Sequence, residues 1–330
     1  MITTLLPTTN LLRVNNAYTE FEYFLYSSVE PYVSNPILVG TPPRTNTCPA
    51  GILVDPLDAT KKLFWRGEFD NTGGSLNSQI GLFEGSDVDD PYDLGTRYGT
   101  VIAPGATEDV RGCRFGMPVF ISGTDVWYYY VGLDIGYNWT ICRAVSTDGG
   151  RTYTKMGIVL SPNGTDEFGV SGPAIYREGG TWYMGYTCWS GPVNSVGITH
   201  DPGASSVGIR LATSSDGITW TKAGVTLVPL VYDRVEDSQF YKIGDKYVLL
   251  YNVYKAAGAT TWSLFVSSNT VPNTTFTVQK PFKYVYGEVR AVGFLFTYSD
   301  GFTYVYYQQE DPPPGSGIDN IYVAKLIPPN

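Results

Sequence analysis

Histidine is almost absent from this chain, with one residue, His200, in 330. A site built from several imidazoles is thereby excluded, as is any Ser-His-Asp triad that does not use His200. That residue sits in the loop-like run Gly197-Ile198-Thr199-His200-Asp201-Pro202 and reads as an ordinary surface residue. Cysteine is scarce too. Cys48, Cys113, Cys142 and Cys188 match no zinc spacing and are too few to form a disulfide framework in a chain this long. Cys142 and Cys188 fall in strand-like runs and read as buried free thiols. No metal and no other cofactor is expected. Charged residues make up only 16%, and 22 Lys and Arg against 31 Asp and Glu leave a net charge of −9. There is no basic stripe, which argues against a nucleic-acid partner. No run of apolar residues is long enough for a transmembrane helix, so membrane insertion is not expected. Met1–Leu12 has neither a basic start nor a long apolar core and does not read as a signal peptide.

What the chain does have is aromatic residues, glycine and proline. Tyr (26), Phe (15) and Trp (7) reach 15%, beside 37 Gly and 22 Pro, a composition suited to many short strands joined by turns. Few stretches are rich in the residues of long helices. Self-comparison gives the architecture. Five aromatic, strand-like segments begin at Leu63, Trp127, Trp182, Tyr247 and Thr303, spaced by about 55–65 residues, the length of a four-stranded unit with a variable loop. Shorter apolar strands and Gly-containing turns precede most of them, as in Pro118-Val119-Phe120-Ile121-Ser122-Gly123 before Trp127, and read as hairpins.

A third strand and a turn follow. Arg143–Lys155 and Arg210–Lys222 are two copies of one unit, and Phe265–Asn269 is a weaker third. Asp148 and Asp216 can accept backbone N–H bonds inside their turns, with Tyr153 and Trp220 packed beneath. Both acids therefore read as structural parts of an outer hairpin. Fourth strands begin at Val101, Ile158, Val225 and Phe276, but the last unit stops at its third strand, Ile321–Leu326. The missing strand is expected at Asn35–Gly40. The fold class is then all-β, a five-bladed β-propeller spanning 35–330, with an N-terminal strand completing the last blade and 1–34 as an extension.

The run Ser146-x-Asp148-x-Gly150-x-Thr152-Tyr153 resembles the Asp box of sialidase-like propellers. An outer strand ending in Pro, an acidic or aromatic spacer, then Pro, an apolar strand and Trp-Tyr-x-x-Tyr resembles the five-bladed propeller glycosidases. These are the arabinanases, β-xylosidases, invertases, levansucrases and mannoside phosphorylases, and the likeness covers roughly residues 34–327. It implies a central pocket lined by inner strands. In it an early-blade Asp acts as base or nucleophile, a second Asp tunes, and a later Glu is the acid. Two carboxylates flank the glycosidic bond, one protonated and one ionised. Here the match is partial. Asn46-Thr47-Cys48-Pro49 and Val170-Ser171-Gly172-Pro173 carry no acid, and Met117 stands where the family's Arg-Asp-Pro has Asp. Val235-Glu236-Asp237-Ser238 is similar to the invertase Glu-Cys-Pro-Asp motif and retains Glu236, and the fifth blade offers Glu288-Val289-Arg290.

The resemblance makes Glu236 the expected proton donor, with Asp109, Glu167 or Glu288 as the opposing carboxylate. Arg114, Arg290 and Asp237 are expected to bind substrate. Trp139 and Trp189, close to Gly and just past second strands, are candidate sugar-stacking platforms, since a sugar ring has apolar C–H faces. For most of these residues packing or ion pairing is the competing explanation; Glu236, for example, could pair with Arg234 or Arg290. The expected function is a glycoside hydrolase-like propeller that acts on or binds a poly- or oligosaccharide at its centre. The alternative is a non-catalytic glycan-binding or structural propeller, such as a phage tail or virion component, favoured by the acids missing from three blades. A sialidase is a third reading, though it requires an arginine triad and usually six blades. An extracellular or virion setting is expected rather than a cytoplasmic one.

Overall fold

A computed structural model describes residues 28–32, 34–39, 46–69, 78–164, 168–189, 206–229, 234–254, 262–281, 289–291, 293–310 and 319–327. It is all-β: five small antiparallel sheets form the five blades of a propeller. The first strand, β1 (Ser28–Pro31), belongs to the last blade. Blade one contains β2 (Asn46–Asp55), β3 (Asp58–Phe69), β4 (Gln79–Glu84) and β5 (Thr96–Ile102). Blade two contains β6 (Gly112–Ser122), β7 (Asp125–Leu133), β8 (Trp139–Ser146) and β9 (Thr154–Leu160). Blade three contains β10 (Gly169–Glu178), β11 (Thr181–Trp189), β12 (Ser206–Ser214) and β13 (Thr221–Pro229). Blade four contains β14 (Arg234–Ile243), β15 (Lys246–Tyr254), β16 (Trp262–Asn269) and β17 (Thr277–Pro281). Blade five splits its inner strand into β18 (Val289–Ala291) and β19 (Leu295–Thr297), followed by β20 (Thr303–Glu310), β21 (Asp319–Ile327) and β1.

Burial follows position in the blade. The inner strand β2 is buried along nearly its whole length, whereas the fourth strand β9 alternates exposed and half-buried residues. A strand covered on both faces and one open to water read differently for that reason. The aromatic signature segments supply the contacts between blades. Trp127 stacks on Trp182 with ring centres 5.6 Å apart, Trp65 meets Tyr128 at 6.3 Å, and Phe64 of blade one meets Tyr306 of blade five at 5.7 Å. Each fully buried aromatic of this kind contributes on the order of 2 kcal/mol.

The outer turns add a second tie, because each rests on the blade before it. In the Asp148 turn, a Cβ on Gly150 would come within 2.7 Å of Trp65, so only glycine lets the turn sit on blade one. Arg151 of the same turn pairs with Asp55 at 2.6 Å and Glu84 at 2.8 Å, both in blade one. In blade three the Gly217 carbonyl accepts a 2.6 Å bond from the Tyr129 hydroxyl of blade two. The Phe276 N–H of blade four donates to the Leu227 carbonyl of blade three, and the Tyr306 hydroxyl of blade five donates to the Pro91 carbonyl of blade one. Within its turn the Asp148 carboxylate accepts from the Arg151 and Thr152 N–H groups and the Ser146 and Thr152 hydroxyls. Asp216 accepts from Ile218 and Thr219 N–H groups and the Ser214 hydroxyl.

The N-terminal strand does complete the last blade, but not where the sequence placed it. The regular ladder is Ser28–Pro31 against Ala324–Ile327. The described part of the expected segment, 35–39, meets the same strand through the Leu38–Ile321 bridge, through the Ile37 N–H on the Ile321 carbonyl, and through Asn35, whose side chain both donates to and accepts from the Val323 backbone. The reason is local. Pro36 has no N–H to give, and the Asn35 amide takes the place of a backbone pair, so the ladder is interrupted.

Two expected outcomes follow from the blade contacts. Burial alone would raise the Asp148 carboxyl, but the bonds from Thr152, Ser146 and Arg151 outweigh it and hold it below 3.8. Its contribution is therefore present above about pH 4 and is lost as pH falls through the lower, folded-state value. Asp148→Ala should cost about 1 kcal/mol at neutral pH and progressively less as pH falls below 3.8; urea melts across that range check this. Lys62 of β3 is fully buried at the seam with blade five, with its ammonium on the Asp90 carbonyl and the Tyr298 ring. Burial pulls its pKa from 10.5 down to about 8, against the opposing pull of Asp93, Asp90, Asp87 and Asp89. A lowered lysine value is a penalty present in full below pH 8 and relieved as pH rises towards 10.5. Measured against Lys62→Met, the wild type should gain stability across that window, and parallel pH profiles would contradict this.

Candidate functional site

All five inner strands break register at one level. The shift falls between Pro49 and Gly51, Arg114 and Gly116, Ser171 and Ala174, Glu236 and Gln239, and Val289 and Ala291. Bulges bend a strand and re-aim its side chains, and they recur next to functional sites. Here they form a ring. The last paired residues before the shift are Pro49, Arg114, Ser171, Glu236 and Val289. The residues inside it are Ala50, Phe115, Gly172 with Pro173, Asp237 with Ser238, and Arg290. Backbone strain marks the same level: Phe115 has φ 30, Gly172 φ 54 and Asp237 φ 51. A non-glycine residue in this region costs about 1–2 kcal/mol.

Three charged side chains of this ring are buried together: Arg114, Glu236 and Asp237. Arg114 lies within electrostatic reach of Cys48 in blade one and Asp237 in blade four, so its guanidinium spans inner strands of three blades. Burial brings it down to about 10, with Cys48 and Asp237 opposing. Phe69 and Trp139 lie beside it at 5.0 and 5.8 Å from the guanidinium carbon. Asp237 is pushed the other way. Burial and then the neighbouring Glu236 charge raise its carboxyl well above the usual range, and Arg114 offsets only part of this. The Asp237 N–H donates to the Thr187 hydroxyl at 3.0 Å. Gly172 gives the carboxyl its room, since a Cβ there would lie 3.0 Å from Oδ1. The mouth thus holds a guanidinium and two carboxyl groups, one of them pushed towards its uncharged form by burial, with the Phe69 and Trp139 rings beside the guanidinium. Such a set can donate and accept hydrogen bonds to a polar ligand with apolar C–H faces.

No family model matches the sequence, and no curated protein matches it. Solved structures do. A glycoside hydrolase superposes with a TM-score of 0.70 at 14% identity, over 95% of this chain and 96% of that one. A β-xylosidase/α-arabinofuranosidase from a compost microbial metagenome, solved with xylotriose, gives 0.64 at 14% identity, over 90% of this chain and 95% of that one. A fructofuranosidase from Schwanniomyces occidentalis, solved with fructosylnystose, gives 0.63 at 13% identity, covering 91% of this chain but 61% of that longer one. The fold is that of the five-bladed propeller glycoside hydrolases.

On this glycosidase-type propeller the expected site residues do not all converge. Glu236, Asp237 and Arg114 come together. Arg290 is the extra residue of the β18 bulge, at the same level of the fifth inner strand. Glu167 and Glu288 lie outside the described residues. Asp109 is fully buried between blades one and two, tied to Lys155 at 2.6 Å, to the Tyr130 hydroxyl at 2.9 Å and to the Gly105 and Ala106 N–H groups. Those bonds anchor a connecting loop, and none is to Arg114, Glu236 or Asp237. Trp139 and Trp189 are buried, meet edge to face at 6.0 Å, and pack with Val131 and Leu133. The Trp189 N–H donates to Ser171 at 3.0 Å. They form a wall beside Arg114 instead of an open platform. Met117 sits past the bulge in the core between blades two and three, its sulfur 3.2 Å from the Ile175 nitrogen. Ser171, Phe115, Phe69 and Thr187 belong to the mouth and were not singled out by sequence. Registering each inner strand against its second strand would have found Ser171, since it precedes the irregular Gly172-Pro173 as Glu236 precedes Asp237-Ser238.

Removing the one described cation of this cluster should leave a buried acid pair uncompensated. Arg114→Met is expected to cost about 3 kcal/mol in urea denaturation, the usual scale for breaking a buried pair. A change below about 1 kcal/mol would show that the guanidinium does not balance these acids.

Proposed function

We propose that this propeller binds a neutral sugar unit of an oligo- or polysaccharide at its axial mouth, through Arg114, Glu236 and Asp237. The observation that carries the reading is the burial of these three groups at the bulge level of a glycosidase-type propeller, with aromatic side chains alongside. The fold neighbours solved with xylotriose and with fructosylnystose support carbohydrate as the ligand class. A sialidase reading has less support, because the ring positions hold two arginines, Arg114 and Arg290, and the blades number five.

Hydrolysis is the second reading, favoured by the position of Asp237, whose carboxyl burial pushes upward, beside Glu236, which would give an acid–base couple in one place. Its difficulty is geometric. Hydrolysis needs carboxylates on two sides of the bond, about 5–10 Å apart, and the ring's two acids are neighbours on one strand. Pro49, Arg114, Ser171 and Val289 occupy the other described ring positions. Asp109 is bound elsewhere, so the opposing role falls to Glu288 or Glu167.

An oligosaccharide array with reducing-sugar assays separates the readings. The wild type should bind at least one glycan, and Arg114→Met should weaken that binding at least tenfold. Absence of any binding, or binding untouched by the substitution, would overturn the proposal. If polysaccharide is also cleaved, Glu236→Gln should slow cleavage by about 100-fold or more while binding persists; undiminished cleavage would remove Glu236 from the acid–base couple.

A further inference from the structure

The least expected side chain at the mouth is Asp237. Acids in a protein interior are ordinarily paired or hydrogen-bonded. Among the described residues no hydrogen bond or ion pair engages the Asp237 carboxyl; its one bond is from its own backbone N–H to Thr187. The residue is 8% exposed, so water cannot stand in fully for a partner. Its backbone is held at φ 51, a strained value for a non-glycine residue, inside the bulge of β14. Gly172 across the gap, itself at φ 54, leaves the space into which the carboxyl projects, and a methyl group there would crowd Oδ1. Among the described residues this one carboxyl projects beside a glycine, from a strained backbone, with no hydrogen bond of its own.

Among the described residues two charged groups face it. Glu236 precedes it on the same strand, and Arg114 approaches from blade two; blade three presents Gly172 and the Thr187 hydroxyl. A buried carboxyl with no hydrogen-bond or ion-pair partner is driven towards its uncharged form by desolvation, and an adjacent acid adds to that drive. Of the two acids, it is Asp237 whose carboxyl makes no hydrogen bond or ion pair among the described residues.

We propose that Asp237 is a hydrogen-bond donor at the axis: a carboxylic acid held uncharged that gives its O–H to an acceptor oxygen of a neutral sugar. This rests on the sugar-binding reading above and extends it in two ways. It assigns the donor to Asp237 and not to Glu236, and it makes the site favour ligands offering a hydroxyl, ring or glycosidic oxygen over ligands bearing a carboxylate. An anionic sugar would meet the charge of Glu236, whereas a neutral oxygen meets the Asp237 O–H and the Arg114 N–H groups. Binding should therefore weaken as pH rises and the Asp237 proton is lost.

The test observes the proton first and the sugar second. In the full chain labelled with 13Cγ-aspartate, one aspartate signal should remain in its protonated position at neutral pH by NMR. That signal should be missing in Asp237→Asn, and Glu236→Gln should shift its midpoint to lower pH by at least tenfold in proton affinity. If every aspartate titrates in the ordinary range, or the neutral signal survives Asp237→Asn, the inference is wrong. Should Asp237→Asn fail to fold, the Glu236→Gln shift remains decisive. Titration with a mixture of neutral xylo- and arabino-oligosaccharides forms the second arm. Wild-type binding should fall across the same midpoint and that of Asp237→Asn, which keeps a donor, should stay flat. A neutral Asp237 in a protein that binds no sugar would sink the sugar reading but leave the proton assignment standing. Sugar binding without a neutral aspartate would do the reverse.

Discussion

Antiparallel sheets that meet at one axis crowd their innermost strands, and a bulge in each is the constraint on which the rest of this molecule depends. Without the register shifts at Ala50, Phe115, Gly172, Asp237 and Arg290, the inner strands would run past the axis as regular ladders. A side chain level with its neighbours would then alternate between core and axis in step with the pleat. The shifts break that alternation at a single height, and this lets Arg114, Glu236 and Asp237 share one buried volume although they come from two blades.

Such strain persists only in a frame that cannot relax, and the blade contacts provide one. Stacked aromatics such as Trp127 on Trp182 fix the spacing of the sheets. Turns such as those of Asp148 and Asp216 lie on the preceding blade, so each blade is held by its neighbour at the outer edge as well as along the face. The pairing of β1 with β21 closes the ring and covers what would have been an open sheet edge. Rigid scaffolds of this kind let a mouth vary in chemistry while the fold stays constant. This chain shares its fold with structural neighbours at 13–16% identity.

The fold was readable in the sequence because its signals are local and repeated. Trp127-Tyr128-Tyr129-Tyr130 and Trp182-Tyr183-Met184-Gly185-Tyr186 announce second strands, and Ser146–Tyr153 and Ser214–Trp220 announce outer turns. The closing strand was readable in kind but not in position, since Pro36-Ile37-Leu38-Val39 has the composition of a strand and the wrong backbone for one. The site was readable only in part. Glu236 and Asp237 stand out as adjacent acids before an apolar strand, but their neighbours Phe115, Ser171 and Thr187 have no signature outside three dimensions. Asp109 was misleading for a physical reason. An acid before an inner strand can face the axis or turn back to cap its own loop, and Lys155, which decides the matter, lies on the far strand of the blade.

Among the described side chains the mouth is chemically lopsided: its two ring acids come from blade four and its cation from blade two, with Pro49 and Ser171 from blades one and three. That distribution suits gripping a sugar from one side better than cleaving it between opposed carboxylates. The most direct measurement is a crystal structure of the chain soaked with an oligosaccharide to which it binds. The account predicts a sugar ring within hydrogen-bonding distance of Arg114, Glu236 and Asp237. A sugar bound on the outer strands, with the axial mouth empty, would contradict it.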